Sequence, residues 1–305
     1  MHHHQALRPP MRISGSRALV TGGASGIGRA IAQTLAVRGC RVLVADIDGG
    51  RAGAIAAELG PETVGVQCDV SDHAAVERLA DDADRLLGGF DLVFANAGVS
   101  VGGPLLDADP AELDWIFGVN VRGIWSTASV FGRRLRSSGR PGHLCLTASE
   151  HALGLQHAGM GLYTATKHAV LGLADVLRAE LPPSIGVSIL CPGLVSTELH
   201  LSKRHGPLPP DDDARLAMAG AVMARGMSAE IIGQAAVNGV ERGDFLIVTH
   251  PSSAQAAQKR GEEIAAAFKA QAPWSADAER YSVNSVIATV MQDAAGQPRH
   301  GDAIS

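Results

Sequence analysis

Tyr163 and Lys167 are the residues of this chain whose types and spacing most clearly predict chemistry. Four positions apart on a predicted helix, they lie on one face, about one turn from each other. A nearby ammonium group stabilises a phenolate, so we expect Lys167 to lower the pKa of Tyr163 from its ordinary value of about 10. Such a tyrosine exchanges protons with an alcohol or a carbonyl oxygen.

A glycine-rich turn follows the first predicted strand and opens the first predicted helix. Gly22 and Gly26 let the backbone bend tightly and approach a pyrophosphate, and Gly28 lets the helix pack closely on the sheet. The helix N-terminus favours an anion. The turn, with Ser25 and Ile27, therefore predicts a dinucleotide site. The alternative is a tight turn without a ligand.

Asp46 ends the second predicted strand and has Ile47 beside it. A carboxylate at this place accepts hydrogen bonds from the ribose hydroxyls of NAD and repels the 2′-phosphate of NADP. We therefore expect these two residues to contact NAD, with NADP the weaker cofactor. Two alternatives remain open: Asp46 is a solvated acid, or Arg29, Arg41 or Arg51 reaches a phosphate.

The composition predicts a folded protein that binds neither nucleic acid nor a membrane. Of the 305 residues, 46% are hydrophobic and 19% charged, which is typical of a globular chain with a large core. The formal charge of −5 disfavours a nucleic-acid surface. No apolar run is long enough to span a bilayer and no signal-peptide core is found, so we expect a cytoplasmic location.

The four cysteines, Cys40, Cys68, Cys145 and Cys191, lie in or beside apolar strand-like runs. We expect small buried side chains in a reducing compartment. No paired histidine or cysteine ligands occur, so no metal site is expected.

Short apolar runs alternate with longer amphipathic segments along most of the chain. The predicted strands cover residues 17–21, 41–46, 63–67, 92–95, 143–147, 186–191 and 245–248. The predicted helices cover residues 27–38, 50–59, 72–87, 112–137, 162–181 and 229–242. Continuous apolar strands separated by helices predict an α/β fold with one doubly wound parallel sheet of about seven strands.

The same pattern predicts the domain organisation. Residues 1–10 resemble a tag remnant and are excluded from the fold. Residues 11–250 form the predicted domain, and a Pro-, Gly- and charge-rich stretch at about 198–227 is a predicted lid or disordered loop. Residues 251–305 form an extension in which a helix at 253–270 gives way to a polar, irregular tail.

Further motif residues follow the glycine turn and Asp46 in a fixed order. They are Cys68-Asp69-Val70, Asn96-Ala97-Gly98, Asn120, Thr147-Ala148-Ser149, Tyr163-x-x-x-Lys167 and Pro192-Gly193-x-Val195-x-Thr197. Each is weak alone, but over residues 17–248 the set closely resembles the short-chain dehydrogenase/reductase family. The resemblance implies a Rossmann-type fold and hydride transfer with a nicotinamide cofactor.

The resemblance also implies where the cofactor contacts lie. Asp69 and Val70 would contact the adenine. Asn96, Ala97 and Gly98 would line the adenosine side and stabilise the central strands. The stretch made of Pro192, Gly193, Val195 and Thr197 would border the nicotinamide.

Four positions would carry the reaction according to the same resemblance. Tyr163 would be the general acid in reduction and the base in oxidation, and Lys167 would bind the nicotinamide ribose. Ser149 would hold the substrate oxygen, and Asn120 would hold a water molecule in a proton relay. Each residue taken singly has a plainer interpretation. Tyr163 would be a core residue, Lys167 a solvated lysine, Ser149 a strand-end cap and Asn120 a surface amide.

One departure from the family pattern concerns Ser149, which lies 14 residues before Tyr163, one more than is common. The commoner spacing falls on Glu150, which cannot replace a hydroxyl donor. We therefore predict a one-residue insertion within residues 150–162, a loop expected to face the substrate.

Substrate contacts are expected from that loop, from residues 99–105 and from the lid. Their apolar side chains favour a hydrophobic secondary alcohol or ketone over a sugar. The candidates are Leu155, Met160, Leu194 and Leu199, together with Leu153, Leu201, Met218 and Met223. Ordinary packing is the alternative for each, and the loop histidines His151, His157, His200 and His205 are either polar contacts or solvent-exposed.

The leading prediction is an NAD-dependent alcohol dehydrogenase or carbonyl reductase. Two alternatives remain: an epimerase or dehydratase on the same scaffold, and a non-catalytic NAD(P)-binding regulator. Helices 112–137 and 162–181 carry apolar faces, and the resemblance implies a homodimer or homotetramer built on them.

Overall fold

One sheet of seven parallel strands forms the centre of this computed structural model, which describes residues 10–155, 157–275 and 277–296. Its strands are β1 (Arg17–Thr21), β2 (Arg41–Asp46), β3 (Thr63–Gln67), β4 (Leu92–Ala95), β5 (Gly142–Thr147), β6 (Ile185–Cys191) and β9 (Leu246–Val248). The spatial order is β3-β2-β1-β4-β5-β6-β9. Short strands β7 (Val195–Ser196) and β8 (Met227–Ser228) pair separately. The predicted doubly wound α/β fold is confirmed.

Helices cover both faces of the sheet. Along the described residues the helices are α1 (Gly26–Val37), α2 (Gly49–Leu59), α3 (His73–Leu87), α4 (Pro110–Phe117), α5 (Ile124–Ser138), α6 (Gly161–Glu180), α7 (Asp213–Met223), α8 (Ala229–Arg242), α9 (Ser253–Gln271) and α10 (Val283–Gly296). Helices α3, α5 and α6 pack on one face, against side chains such as Leu19 and Leu43. Helices α1, α2 and α8 pack on the other, against Val20 and Val44. Adjacent strand residues are therefore both buried, which explains the continuous apolar runs.

The predicted helix at residues 112–137 is wrong in its continuity. The segment begins earlier, at the capping box of Asp109 and Glu112, and is interrupted by a π-helical turn at Gly118–Gly123. A π turn inserts an extra residue and rotates the side chains beyond it, so a 3.6-residue period cannot reveal it. The turn brings Asn120 into the interior, where it is fully buried.

The stretch predicted as a lid has more regular structure than expected. A 3₁₀ turn spans Leu199–His205, and α7 follows. Lys203 bridges Glu112 of α4 and Asp211 at 3.1 and 2.9 Å, and Arg215 of α7 donates to Gly102 O. The stretch is thus fastened to the loop after β4 and to α4.

The chain divides into two compact units, Met1–Ala257 and Gln258–Ser305. The prediction of a polar, irregular tail is wrong where α10 forms, because Val283, Val286, Ile287 and Val290 follow a helical period. Their β-branched side chains have low helix propensity, which masked the helix in the sequence. Residues 1–9 of the predicted tag and residues 297–305 of the tail lie outside the described residues.

All four cysteines are buried and unpaired, as predicted. Burial raises the thiol pKa of Cys40 to about 11 and those of Cys68 and Cys191 to about 12. Among the described residues, no group of three or more potential ligands is arranged to hold a metal ion, and no helix is both long and apolar enough to cross a bilayer.

Candidate active site

A cavity of about 940 Å³ opens at the carboxyl ends of the parallel strands. Ligands bind at this edge in doubly wound sheets, and the volume lies at the upper end of ordinary small-molecule sites, about 300–1,000 Å³. Most predicted site residues line it: Gly22, Ser25, Gly26, Ile27, Asp46, Ile47, Asp69, Val70, Asn96, Ala97, Gly98, Ser149, Leu155, Met160, Tyr163, Lys167, Pro192, Gly193, Leu194, Val195, Thr197 and Leu199.

The glycine turn is shaped for close approach of another group. Gly22 and Gly26 have φ values of 62° and 51°, which side-chain-bearing residues rarely adopt. Ser25 precedes α1 but makes no side-chain cap bond, so the amides of the first turn are left for another acceptor. These features fit a pyrophosphate. Gly28 does not line the cavity, and a Cβ there would lie 2.0 Å from Gly22 O, as expected for close helix–sheet packing.

Asp46 lies at the carboxyl end of β2, where its carboxylate is already fixed. Oδ2 accepts from Ala24 N at 3.0 Å and Oδ1 from Asp48 N at 3.1 Å. A carboxylate has about four acceptor sites, so further hydrogen bonds from ribose hydroxyls remain available.

The three arginines left open as phosphate ligands are otherwise engaged. Arg41 begins β2, at the opposite edge of the sheet, and donates to Leu86 O and Leu87 O, so this alternative is wrong for Arg41. Arg29 pairs with Glu58 at 2.6 Å, and Arg51 pairs with Glu198 at 3.1 Å. Glu198 lines the cavity and also pairs with Arg204 at 2.7 Å.

Asn96 and Asn120 organise the loop after β4. Asn96 Nδ2 donates to Thr21 O at 3.1 Å, which ties β4 to β1. Asn120 exchanges two bonds with the backbone of Val99, at 2.8 and 2.9 Å, and donates to Thr166 Oγ1 at 3.1 Å. Its side chain therefore lies behind the cavity wall rather than in it, and its suggested role in a water relay stays a prediction.

Ser149, Tyr163 and Lys167 meet at one end of the cavity, between β5 and α6. Ser149 follows the end of β5, and its hydroxyl donates to Pro192 O at 3.3 Å and interacts with the Tyr163 phenol, which acts to lower the pKa of that phenol. Lys167 Nζ donates to Thr147 O at 3.1 Å and lies 5.4 Å from the centroid of the Tyr163 ring. The adjacent Glu150 carboxylate instead accepts from Ser253. The Glu150 carboxylate is thus engaged with Ser253, while the Ser149 hydroxyl lies beside Tyr163.

The prediction that Lys167 lowers the pKa of Tyr163 is wrong for the chain alone. Burial raises the pKa of Tyr163 to about 12, while the hydrogen bond with Ser149 acts in the opposite direction. Burial also lowers the pKa of Lys167 to about 8. Desolvation disfavours the charged form of each group and is the largest cause of both shifts. At neutral pH the phenol is therefore a proton donor.

The rest of the cavity wall carries both apolar and polar side chains. Of the additional apolar candidates in the sequence, only Met223 lines the cavity; Leu153, Leu201 and Met218 do not. His151, His157, His200 and His205 all line it, and His151 is 9% exposed and lies edge-on to Tyr163, with ring centroids 5.2 Å apart.

Some residues of the site escaped the sequence analysis. Trp115, Asp211 and Arg215 line the cavity, but nothing in their spacing distinguishes them from ordinary helix and loop positions. His250 follows the last strand and bonds to Gly193 and Leu194, a contact that depends on tertiary structure alone.

Comparison with known proteins identifies related sequences. Residues 16–207 match the family model described as short chain dehydrogenase. The chain is 45% identical to the 1-deoxy-11-beta-hydroxypentalenate dehydrogenase of Streptomyces avermitilis over 195 residues, 62% of this chain and 72% of that protein. It is 29% identical to the C alpha-dehydrogenase of a Sphingobium species over 284 residues, 89% of this chain and 92% of that protein.

A solved structure is similar over most of the chain. It is a short-chain dehydrogenase/reductase from Burkholderia phymatum in complex with NAD, with a TM-score of 0.80 and 32% identity, covering 87% of this chain and 99% of that one. The fold, the motif order and these matches define the class: the chain belongs to the short-chain dehydrogenase/reductase family. Within it the chain is an oxidoreductase of the kind that uses a nicotinamide cofactor.

Proposed function

We propose that this protein is an NAD-dependent alcohol dehydrogenase or carbonyl reductase that interconverts a hydrophobic secondary alcohol and its ketone. One observation carries the proposal: Ser149, Tyr163 and Lys167 line one end of a cavity whose other end holds Asp46. Strands β2 and β5 are three strand spacings apart, roughly 14 Å. A dinucleotide can bridge such a distance.

A bound nicotinamide dinucleotide supplies or accepts the hydride. In reduction, the neutral Tyr163 phenol donates its proton to the carbonyl oxygen while the Ser149 hydroxyl donates a hydrogen bond to the same oxygen. In oxidation, Tyr163 takes up the alcohol proton. Lys167 holds a positive charge near the ring and binds the ribose beside it.

We further propose NAD as the preferred cofactor. Asp46 presents a negative charge where a 2′-phosphate would lie, and Arg29 and Arg51 are engaged with Glu58 and Glu198. The NAD complex of the Burkholderia protein supports the same choice.

The substrate is proposed to be an apolar, ring-containing alcohol or ketone. Leu155, Met160, Leu194 and Leu199 are apolar side chains that line the cavity. The names of the Streptomyces and Sphingobium relatives both describe dehydrogenases, and the first specifies a hydroxylated hydrocarbon acid. These names support the reaction type.

We also propose a homo-oligomer that packs through α4, α5 and α6. Leu113, Trp125 and Val176 on these helices are 41%, 46% and 55% exposed, although they are large apolar side chains. A symmetric interface would cover them.

The experiment follows the absorbance of the reduced nicotinamide with cyclohexanol, 1-phenylethanol and borneol, and with the matching ketones, in the presence of NAD(H) or NADP(H). We expect turnover with NAD(H). Tyr163→Phe should reduce turnover at least about 100-fold while the protein still binds NADH, because only the proton donor is lost. The other tyrosine, Tyr281, is 75% exposed, so Tyr281→Phe is the matched control.

Unchanged turnover in Tyr163→Phe would overturn the mechanism. Cofactor binding without turnover on any alcohol or ketone would favour the regulatory alternative.

A further inference from the structure

The segment 192–194 joins β6 to β7 and lies beside the reaction centre. Pro192 O accepts from Glu150 N at 2.8 Å and from the Ser149 hydroxyl at 3.3 Å. All three residues of the segment line the cavity with Tyr163. The segment therefore forms part of the cavity wall beside Ser149 and Tyr163.

His250 fastens the segment through both ring nitrogens. Gly193 N donates to His250 Nδ1 at 2.9 Å, and His250 Nε2 lies 3.0 Å from Leu194 O. A backbone N–H can only donate and a carbonyl can only accept, so the partners fix the neutral tautomer with its proton on Nε2. The Thr249 hydroxyl also lies 2.8 Å from Nδ1 and can donate to it.

The packing around Gly193 leaves little room for movement. A Cβ at this position would lie 2.6 Å from His250 Cγ and 2.7 Å from Glu150 Oε2. Glu150 is held in turn by the Ser253 hydroxyl. The segment is thus enclosed between the residue that follows Ser149 and the residues that follow β9.

The two hydrogen bonds of His250 are not equivalent. Leu194 O also accepts from Met227 N at 2.9 Å, so it keeps a partner when His250 is removed. Gly193 N has no second partner among the hydrogen bonds of the described residues. Loss of the Nδ1 acceptor is therefore the more damaging change, because it leaves a partly buried donor unsatisfied.

We propose that His250 is a positioning residue that holds segment 192–194 against the nicotinamide half of the cofactor. The inference rests on the proposed nicotinamide dinucleotide site. With the segment fixed in advance, binding does not have to order it, so the affinity for that half of the cofactor is higher.

The test compares NADH with ADP-ribose, which lacks only the nicotinamide. Affinities of both are measured by calorimetry for the full-length wild type and for His250→Ala, His250→Asn and His250→Gln. Ile247→Val, a small change at a buried position of β9, the strand just before His250, controls for lost stability. We expect His250→Ala to weaken NADH about tenfold and to leave ADP-ribose within twofold of wild type.

The conservative variants distinguish positioning from general packing. The Asn amide oxygen takes the place of Nδ1, so His250→Asn should recover most of the NADH affinity. The Gln amide nitrogen takes the place of Nε2, so His250→Gln should recover less. Equal weakening of both ligands, unchanged NADH binding in His250→Ala, or better recovery by Gln than by Asn would overturn the proposal.

Failure of the proposed function gives a different result. A wild type that binds neither NADH nor ADP-ribose overturns the cofactor site and this inference with it. If the wild type binds both ligands but turns over no alcohol, the affinities of the His250 variants still test the positioning role.

Discussion

Lys167 is an amine buried in the candidate site, where its charged form is destabilised by the loss of water. Its side chain is 4% exposed, and burial lowers its pKa from 10.5 to about 8. Below about pH 8 the folded chain holds the charge at a cost that the unfolded chain does not bear. A shift of this size corresponds to roughly 3 kcal/mol.

The first prediction concerns Lys167→Met, which should lose turnover at least about 100-fold while its melting temperature stays equal to or above that of wild type at pH 7. Between about pH 8 and 10.5 the unfolded wild type binds more protons at this position than the folded state, so wild-type stability should rise relative to the variant. Thermal unfolding of both proteins across this range is the measurement. A variant that is clearly less stable at pH 7 would contradict the burial argument.

The second prediction concerns Asp46→Asn, which removes the charge that disfavours a 2′-phosphate. Catalytic efficiency with NADP relative to NAD should rise at least about tenfold, or about 1.4 kcal/mol. Asp48→Asn is the control, because Asp48 caps α2 through Arg51 N and does not line the cavity. An unchanged ratio in Asp46→Asn would remove the argument for NAD.

At the residue scale, the sequence predicted which side chains share the cavity better than it predicted their protonation. The place of Asp46 at the end of a predicted strand, the helical spacing of Tyr163 and Lys167, and the family resemblance together predicted that the three residues share one site. The pKa of Tyr163 depends on how much water each group loses, and spacing along a helix carries no such information. His250 shows the same limit, since its partners are 57 residues away along the chain.

At the element scale, strands were the most predictable feature because those buried on both faces form unbroken apolar runs. The π turn at Gly118–Gly123 and helix α7 were not predicted. The first departs from the helical period by one residue, and the second has no buried residues, so neither leaves an amphipathic pattern.

The third prediction concerns the ion pairs that hold the segment 199–223. Lys203 is 12% exposed at its side chain and contacts Glu112 and Asp211, so Lys203→Met should loosen the segment over the cavity. We expect KM for the alcohol to rise about fivefold, with a smaller change in kcat. Steady-state kinetics at low and high salt are the measurement: the wild type should approach the variant as salt screens the pairs. Exposed Lys259→Met is the control, and equal KM values at low salt would contradict the role of these pairs.

At the scale of the whole molecule, the candidate site belongs to one unit. Every described residue that lines the cavity lies between Gly22 and Met223, within the unit Met1–Ala257. The unit Gln258–Ser305 contributes none of them.

The fourth prediction follows from this division. A chain that ends after Gln271, where α9 ends, should bind NADH within twofold of the full-length affinity and unfold at nearly the same temperature. Calorimetric titration and thermal unfolding are the measurements. A large loss of NADH affinity would show that the removed residues contribute to the site.

The burial of all four native thiols makes the protein well suited to site-specific labelling. Burial and raised pKa values slow the reaction of these thiols with maleimides in the folded state, including that of Cys68, which lines the cavity. A cysteine introduced at an exposed position of α7, such as Met218, should therefore react well before the native thiols. A fluorophore attached there would report changes in the surroundings of α7 when a ligand enters the cavity.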